Sequence, residues 1–497
     1  MIKKIVEKKK GTAKKSLHSI QSIDSEKPKH ILKLSDAKKV CNSVIAKLRP
    51  SAAEKKAVTL QLKSFVSKLN KALAKHSAKA VLGGSGAKDT WLSGSFDADV
   101  FVMFDYKKYS DNESVISEVL GRVLKSLFKN VKILHGSRDY FQVSESMVRI
   151  GKQVSGKTES AKHFIFECVP ILEIKKPEQA KNITDISPLH TKWVSGKIIF
   201  ARNRKGSNKS IDLCDEIRLT KAFCKANGIY GAESYINGLS GYACEVLTSY
   251  YGSFLKFVFA VSEKWVIDPK DKTLNKIIID PENYWKTKSV KLELNSSKTT
   301  GPLILVDPVQ ASRNVTAAMS QEKFDLFRDR CHEFLRAPKE DFFFRRKSEL
   351  HEINALVNTF PKSQVIIVKA AAKPGREDAC GCALLKLHTT IVSELEKTGF
   401  TVFHKDWEFD KDNLTALMWF VVDGSELKKM KIHEGPPITM QKAVDEFKKK
   451  YSVIFEQDGR ICAEVPRKFT KALLLVENIV ESSKSDPKIK NAVIVKN

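Results

Sequence analysis

GSGAKDTWLSGSFDADVFVMFD, residues Gly84 to Asp105, is the stretch that decides how this chain folds. Gly83, Gly84 and Gly86 permit backbone conformations in which N–H groups converge on an anion. Ser85 adds a hydroxyl donor, and Lys88 reaches a polyphosphate as a point charge. Downstream, Asp97 and Asp99 open the apolar run Val100-Phe-Val-Met-Phe104. Alternate residues of a strand share a face, so both carboxylates point one way and Ala98 the other. Two carboxylates so placed can hold two divalent ions about 3.5–4 Å apart, the arrangement used in nucleotidyl transfer. A glycine-rich turn alone, or an Asp-Ala-Asp alone, reads as an ordinary turn or a solvated strand end. The two in this order, ending in a hydrophobic strand, specify a site.

Such a site takes a third carboxylate from a neighbouring strand, about 4.8 Å away. Glu167, inside the strand-like run His163-Phe-Ile-Phe-Glu-Cys-Val-Pro170, is the candidate. An acid in an apolar run calls for a partner or a metal, unless it lies on an edge strand facing water.

The Gly84–Asp105 motif resembles that of the polymerase-β-like nucleotidyltransferases. Later segments narrow the resemblance to the archaeal-type, class I CCA-adding tRNA nucleotidyltransferases: Asp185-Ile-Ser-Pro-Leu-His190, Asp215–Glu233, Gly238–Glu245, Asp307-Pro-Val-Gln-Ala-Ser-Arg313-Asn and His433-Glu-Gly-Pro-Pro437. The similarity runs from about Ile31 to the C-terminus. It implies an α+β multidomain fold: a palm of mixed sheet plus helices, a helical central domain, and a C-terminal α/β body and tail. The expected divisions are a basic disordered tail (1–30), a catalytic head (31–180), a helical neck (181–337) and a tRNA-binding body and tail (338–497).

Residue by residue, the resemblance implies metal binding by Asp97, Asp99 and Glu167. It implies that Ser85, Lys88, His190, Lys221 and Tyr230 hold the incoming nucleotide, with Arg313 near its base. The cofactor expected is Mg²⁺, with Mn²⁺ as the alternative. The expected partners are the tRNA 3′ end and acceptor arm, CTP and ATP, with no membrane; a homodimer stays open. The chain departs from the family in places. Glu167 stands where aspartate is usual, Asp89 where glycine is common, and Ile186-Ser187 where Arg-Thr is usual; the Arg138–Val143 stretch also differs. A 2′–5′ oligoadenylate synthetase-like enzyme shares the catalytic motif. A catalytically silent RNA-binding protein of the same fold is the other alternative, resting on Glu167 and Asp89.

Local patterns supply further expectations. Asp215 to Gly228 reads as one helix ending at a glycine stop, on which Arg218, Lys221 and Lys225 form a stripe that spacing alone assigns to a solvated face. His190, just after Pro188, reads as readily as a helix cap or a packing residue. Tyr230 follows the stop and could simply pack. Asn314 is expected to cap an Ala-rich helix. In the last third, helices over Ala383–Lys397 and Gln441–Tyr451, a strand over Leu414–Val422 and a hairpin at Asp458-Gly459 are expected.

Composition agrees with an RNA partner. Lys and Arg number 86 against 58 Asp and Glu, a formal charge of +28 that favours a polyanion through counterion release. The apolar runs are too short to span a membrane. The nine cysteines lack zinc spacing, so reduced thiols in the cytoplasm are expected. The Lys-rich start has neither a secretory nor a mitochondrial pattern.

Overall fold

A computed structural model describes residues 28–95, 97–146, 163–204, 212–267, 275–285, 290, 293–345 and 348–495. The expected disordered tail, up to residue 27, lies outside them. The chain forms two compact units, the first ending at Arg345.

In the first unit, helices Pro28–Leu48 and Ala52–Leu73 lead into a five-stranded mixed sheet. Its strands are β1 (Ala78–Leu82), β2 (Asp97–Phe104), β3 (Val131–Leu134), β4 (Tyr140–Ser146) and β5 (His163–Leu172), in the order β1-β2-β5-β4-β3. Only β2 and β5 run parallel; the other neighbours are antiparallel. Alternation sends Ala98, Val100, Val102 and Phe104 of β2, with Phe164, Phe166 and Cys168 of β5, into a core shared with helices Ala52–Leu73 and Val115–Leu127. Phe65 stacks on Phe166 in that core. The opposite residues, Asp97, Asp99 and Glu167, are therefore left on the other face.

Helix Ala52–Leu73 also fixes the approach to β2. Ser51 and Glu54 form a capping box, and the Glu54 carboxylate further accepts from Ser93 Oγ (2.9 Å) and the Gly94 N–H (2.7 Å). One acidic residue thus caps the helix and ties down the loop that delivers Asp97.

Helices then dominate: Ser187–Asn203, Leu213–Ala226, Gly241–Tyr251, Phe254–Lys264 and Gln321–Arg336, with a small parallel pair β6 (Ile277–Ile279) and β7 (Leu303–Leu305). Gly228, at φ +68°, ends the helix as expected. The basic stripe is corrected: Arg218 and Lys221 are buried and only Lys225 is exposed. The Ala-rich helix after Asn314 is not formed. The Asn314 side chain accepts from the Leu305 and Thr316 N–H groups, and this side-chain-to-backbone bonding holds a turn instead.

The second unit contains the antiparallel sheet β14-β8-β10-β9, built from β8 (Ser363–Ala372), β9 (Val402–Asp410), β10 (Thr415–Asp423) and β14 (Ile489–Ile494). Helices Glu377–Thr398 and Ala472–Ser483 pack on it. A second sheet, β11-β13-β12, comprises β11 (Met430–Pro437), β12 (Ile454–Gln457) and β13 (Arg460–Pro466), and shares a small core with helix Gln441–Lys450. Asp458 (φ 49°) and Gly459 (φ 71°) make the expected hairpin turn, and Lys442, Lys448, Lys449 and Lys450 are exposed. Among the described residues no helix is long and apolar enough to cross a membrane.

Candidate active site

The turn after β1 packs directly on the carboxylate strand. The Gly83 N–H donates to the Asp99 carbonyl (2.8 Å), and the chain enters a five-residue helix, Gly84–Lys88. A Cβ on Gly84 would lie 1.6 Å from Asp99 Oδ2, and φ at Gly84 is +54°. Only glycine lets the backbone approach the carboxylate this closely. Ser85 and Lys88 are thereby brought beside Asp99.

Across the parallel β2/β5 pair, Asp99 is in register with Glu167. Glu167 is in turn opposite Gln142 of β4, whose Nε2 donates to Glu167 Oε1 (2.9 Å). Asp97 lies two residues before Asp99 on the same face and is exposed. Burial, then repulsion from Glu167 and Asp97, pushes the Asp99 carboxyl up to about 6, against the pull of Lys88 and Lys221. Asp99 therefore feels the charge of both other acids, and three carboxylates on one face are a donor set that suits a divalent cation. Among the described residues no group of three His, Cys, Asp or Glu already converges in ligand geometry. The Gln142 bond engages one oxygen of the longer Glu167 side chain.

Lys88 and Lys221 meet on one buried acid that the sequence reading quoted without assigning it a role. Glu245 Oε2 accepts from Lys88 Nζ (2.6 Å), and its Oε1 accepts from Lys221 Nζ (2.7 Å) and Thr90 Oγ1 (2.9 Å). Burial raises the Glu245 carboxyl, but Lys221 and Lys88 outweigh it and hold it down at about 2. The two ammonium groups are thus fixed side by side, 133 residues apart in sequence. Tyr230 lies against the same helix. Its hydroxyl would be 2.7 Å from a Cβ on Gly241, and burial raises its pKa well above the ordinary value, with the charges of Cys244, Glu245 and Asp97 adding.

One helical turn from Glu245, Tyr242 begins a second cluster. Its ring stacks on His190 (centroids 4.1 Å apart) and its hydroxyl donates to Asp307 Oδ1 (3.2 Å). His190 Nε2 and Arg313 Nη1 both donate to Asp307 Oδ2, at 2.9 and 2.7 Å. Helix Gly241–Tyr251 therefore places Glu245 in one cluster and Tyr242 in the other, at i and i+3 spacing. Sequence patterns gave Asp307 and Tyr242 no role; the signal for the first was an aspartate two residues past the buried strand Leu303–Leu305.

The departures from family pattern are accommodated. Asp89 adopts φ +52°, a conformation aspartate tolerates, and its carboxylate takes Arg218 Nη2 (2.7 Å) and Lys55 Nζ (2.9 Å). Its charge is compensated before it can oppose a polyphosphate. Arg218 also donates to the Trp91 carbonyl (2.9 Å) and to Asp215 (2.7 Å), bracing the helix against the turn. Arg138, in the divergent stretch, is buried against Asp185 (2.6 Å) and the Pro170 carbonyl (3.1 Å). It acts as a strut between β5 and the segment leading to His190.

Comparisons with known proteins bear on this site. Residues 215–344 match the second domain of tRNA nucleotidyltransferases, and residues 363–493 match the C-terminal domain of CCA-adding enzymes. The CCA-adding enzyme of Methanocaldococcus jannaschii is 28% identical over 89% of this chain and 91% of its own length. Among solved structures, a cytoplasmic RNA terminal U-transferase aligns with 63% of this chain and all of that one, at 15% identity and a TM-score of 0.43. The CCA-adding enzyme of Nanoarchaeum equitans is 32% identical over 80% of this chain and 86% of its own length. On that identity and span, the chain belongs to the CCA-adding enzyme family.

Proposed function

We propose that this protein adds C, C and A to the 3′ end of tRNA from CTP and ATP, without a nucleic-acid template. The observation that carries this reading is the seating of Gly84 on Asp99. It brings a phosphate-gripping turn, an acidic row and the Lys88–Glu245–Lys221 brace to one place. In the reaction the tRNA 3′-oxygen forms a bond to the α-phosphorus, and the bond to the β-phosphate bridge breaks to release pyrophosphate.

Asp97, Asp99 and Glu167 would hold Mg²⁺, or Mn²⁺. Bound divalent cations would make the 3′-hydroxyl easier to deprotonate and offset charge on the phosphoryl oxygens. Lys88 and Lys221 hold the triphosphate, fixed side by side by Glu245. Ser85, His190 and Tyr230 complete the nucleotide grip. Arg313 faces the base, where hydrogen bonds to base edges separate CTP from UTP far better than shape could. The strongly basic composition suits the tRNA backbone. Family membership sets aside the oligoadenylate synthetase-like alternative, and the compensated charge of Asp89 removes one support of a silent RNA-binding role.

Asp99→Asn tests the reading. Incorporation should be lost while tRNA affinity stays near that of the parent. Substantial residual incorporation would defeat the role given to the acidic row.

A further inference from the structure

Asp307 is fully buried, yet every hydrogen bond its side chain accepts leads toward the proposed nucleotide grip or the turn beneath it. Oδ2 receives both His190 Nε2 and Arg313 Nη1. Oδ1 receives the Tyr242 hydroxyl, the Val309 N–H (2.9 Å) and the more distant Gln310 N–H (3.4 Å). The turn carrying Arg313 closes on Asp307 itself, whose N–H donates to the Arg313 carbonyl (2.9 Å). Tyr284 Oη and Trp285 Nε1 pin the same turn through the carbonyls of Pro308 (2.8 Å) and Ala311 (2.9 Å). Arg313 Nη1 and His190 Nε2 lie 3.5 Å apart, both within hydrogen-bond distance of the same Asp307 oxygen. Burial raises the Asp307 carboxyl, but the His190 hydrogen bond and the charges of His190 and Arg313 hold it below its ordinary value, so it stays an acceptor on both oxygens.

We propose that Asp307 is a positioning residue that locks Arg313, the base reader, and His190, a triphosphate ligand, onto one carboxylate oxygen, so that base recognition and phosphate grip act as one rigid unit. This rests on the nucleotide-binding roles proposed above. A wrong base that displaces Arg313 then also disturbs His190, and selectivity is felt at the phosphates. Tyr242 supports the arrangement by stacking under the imidazole and holding the other oxygen.

Asp307→Asn keeps the shape but turns one acceptor into a donor, so either Arg313 or the Val309 N–H, which can only donate, loses its acceptor. The measurement is equilibrium binding of CTP and of UTP to the full chain, by competition against a fluorescent nucleotide, for the parent, Asp307→Asn, Arg313→Ala, His190→Gln and their pairwise combinations. Loss of hydrogen bonds to charged groups predicts roughly 10–100-fold weaker CTP binding in Asp307→Asn, with the CTP-over-UTP preference falling in step. Adding Asp307→Asn to Arg313→Ala should lower that preference little further, because the carboxylate acts through the arginine. Should Asp307→Asn fail to fold, the His190→Gln and Arg313→Ala pair decides. One rigid unit predicts that the double variant binds CTP about as weakly as the worse single variant. Unchanged CTP affinity and preference in Asp307→Asn, or fully additive losses in either combination, would overturn the proposal. Because affinity is read without turnover, a parent chain that binds CTP but incorporates none counts against the proposed function alone. A parent chain with no CTP affinity overturns both.

Discussion

Replacing Glu245 with glutamine removes the one charge that two buried lysines share. The side chain is 2% exposed, and the Lys88 and Lys221 side chains it binds are 7% and 6% exposed. Two independent magnitudes agree on the cost. Holding the carboxyl at about 2 rather than its ordinary 4.5 corresponds to about 3 kcal/mol of stability at neutral pH. Removing one partner of a buried ion pair typically costs about 3–5 kcal/mol. The amide keeps the volume and can still accept one hydrogen bond, so we expect about 3 kcal/mol in urea unfolding at pH 7. The sign with pH follows from the lowered carboxyl. The stabilisation is complete above pH 4.5 and is lost as pH falls toward 2, so the gap between parent and variant should narrow by about 1 kcal/mol between pH 7 and pH 3.5. Glu245→Asp, which keeps the charge but not the reach, should fall between them. A glutamine variant within about 0.5 kcal/mol of the parent at pH 7, or a gap that does not narrow in acid, would refute the reasoning.

Three further outcomes are expected. Gly84→Ala places a Cβ 1.6 Å from Asp99 Oδ2 at a positive φ, so incorporation should drop at least tenfold while far-UV circular dichroism is unchanged; near-parental activity would show that the turn does not sit on the carboxylate. His388, buried with no hydrogen-bond partner on either ring nitrogen and stacked on Phe420, is lowered to about 4, by burial first and then by Lys405. Its unfolded form takes up a proton near pH 6.5 and its folded form only near 4, so the parent loses up to about 3 kcal/mol of stability as pH falls through that window, and His388→Leu should abolish the loss; parallel pH curves in urea unfolding would contradict this. Gln142→Leu frees Glu167 Oε1, and Mn²⁺ affinity read by electron paramagnetic resonance should rise; an unchanged affinity would show that the Gln142 bond does not restrain the acid.

Much of the geometry of the candidate site was legible locally. That Asp97 and Asp99 share one face of an apolar strand follows from two-residue alternation, and Glu167, which is in register with Asp99, stood out as an acid inside an apolar run. Helix Leu213–Ala226 and its glycine stop were equally plain. Spacing could not tell which polar residues of that helix are buried, because a basic stripe repeats identically whether water or a carboxylate lies opposite. Lys221 meets Glu245 24 residues on, Lys88 meets it across 157, and His190 meets Asp307 across 117. Those pairings belong to the packing of helix Gly241–Tyr251 and of the turn after β7, and no local pattern encodes them. The helix expected after Asn314 failed for a local reason: an asparagine able to bond neighbouring N–H groups stabilises a turn as readily as a helix start.

The most direct test is to incubate the full chain with tRNA ending before its CCA, labelled CTP and ATP, and Mg²⁺ or Mn²⁺, and to sequence the 3′ ends formed. Addition of C, C and A followed by arrest is the predicted result. Unlimited A addition, or tRNA binding with no addition under either metal, would contradict it.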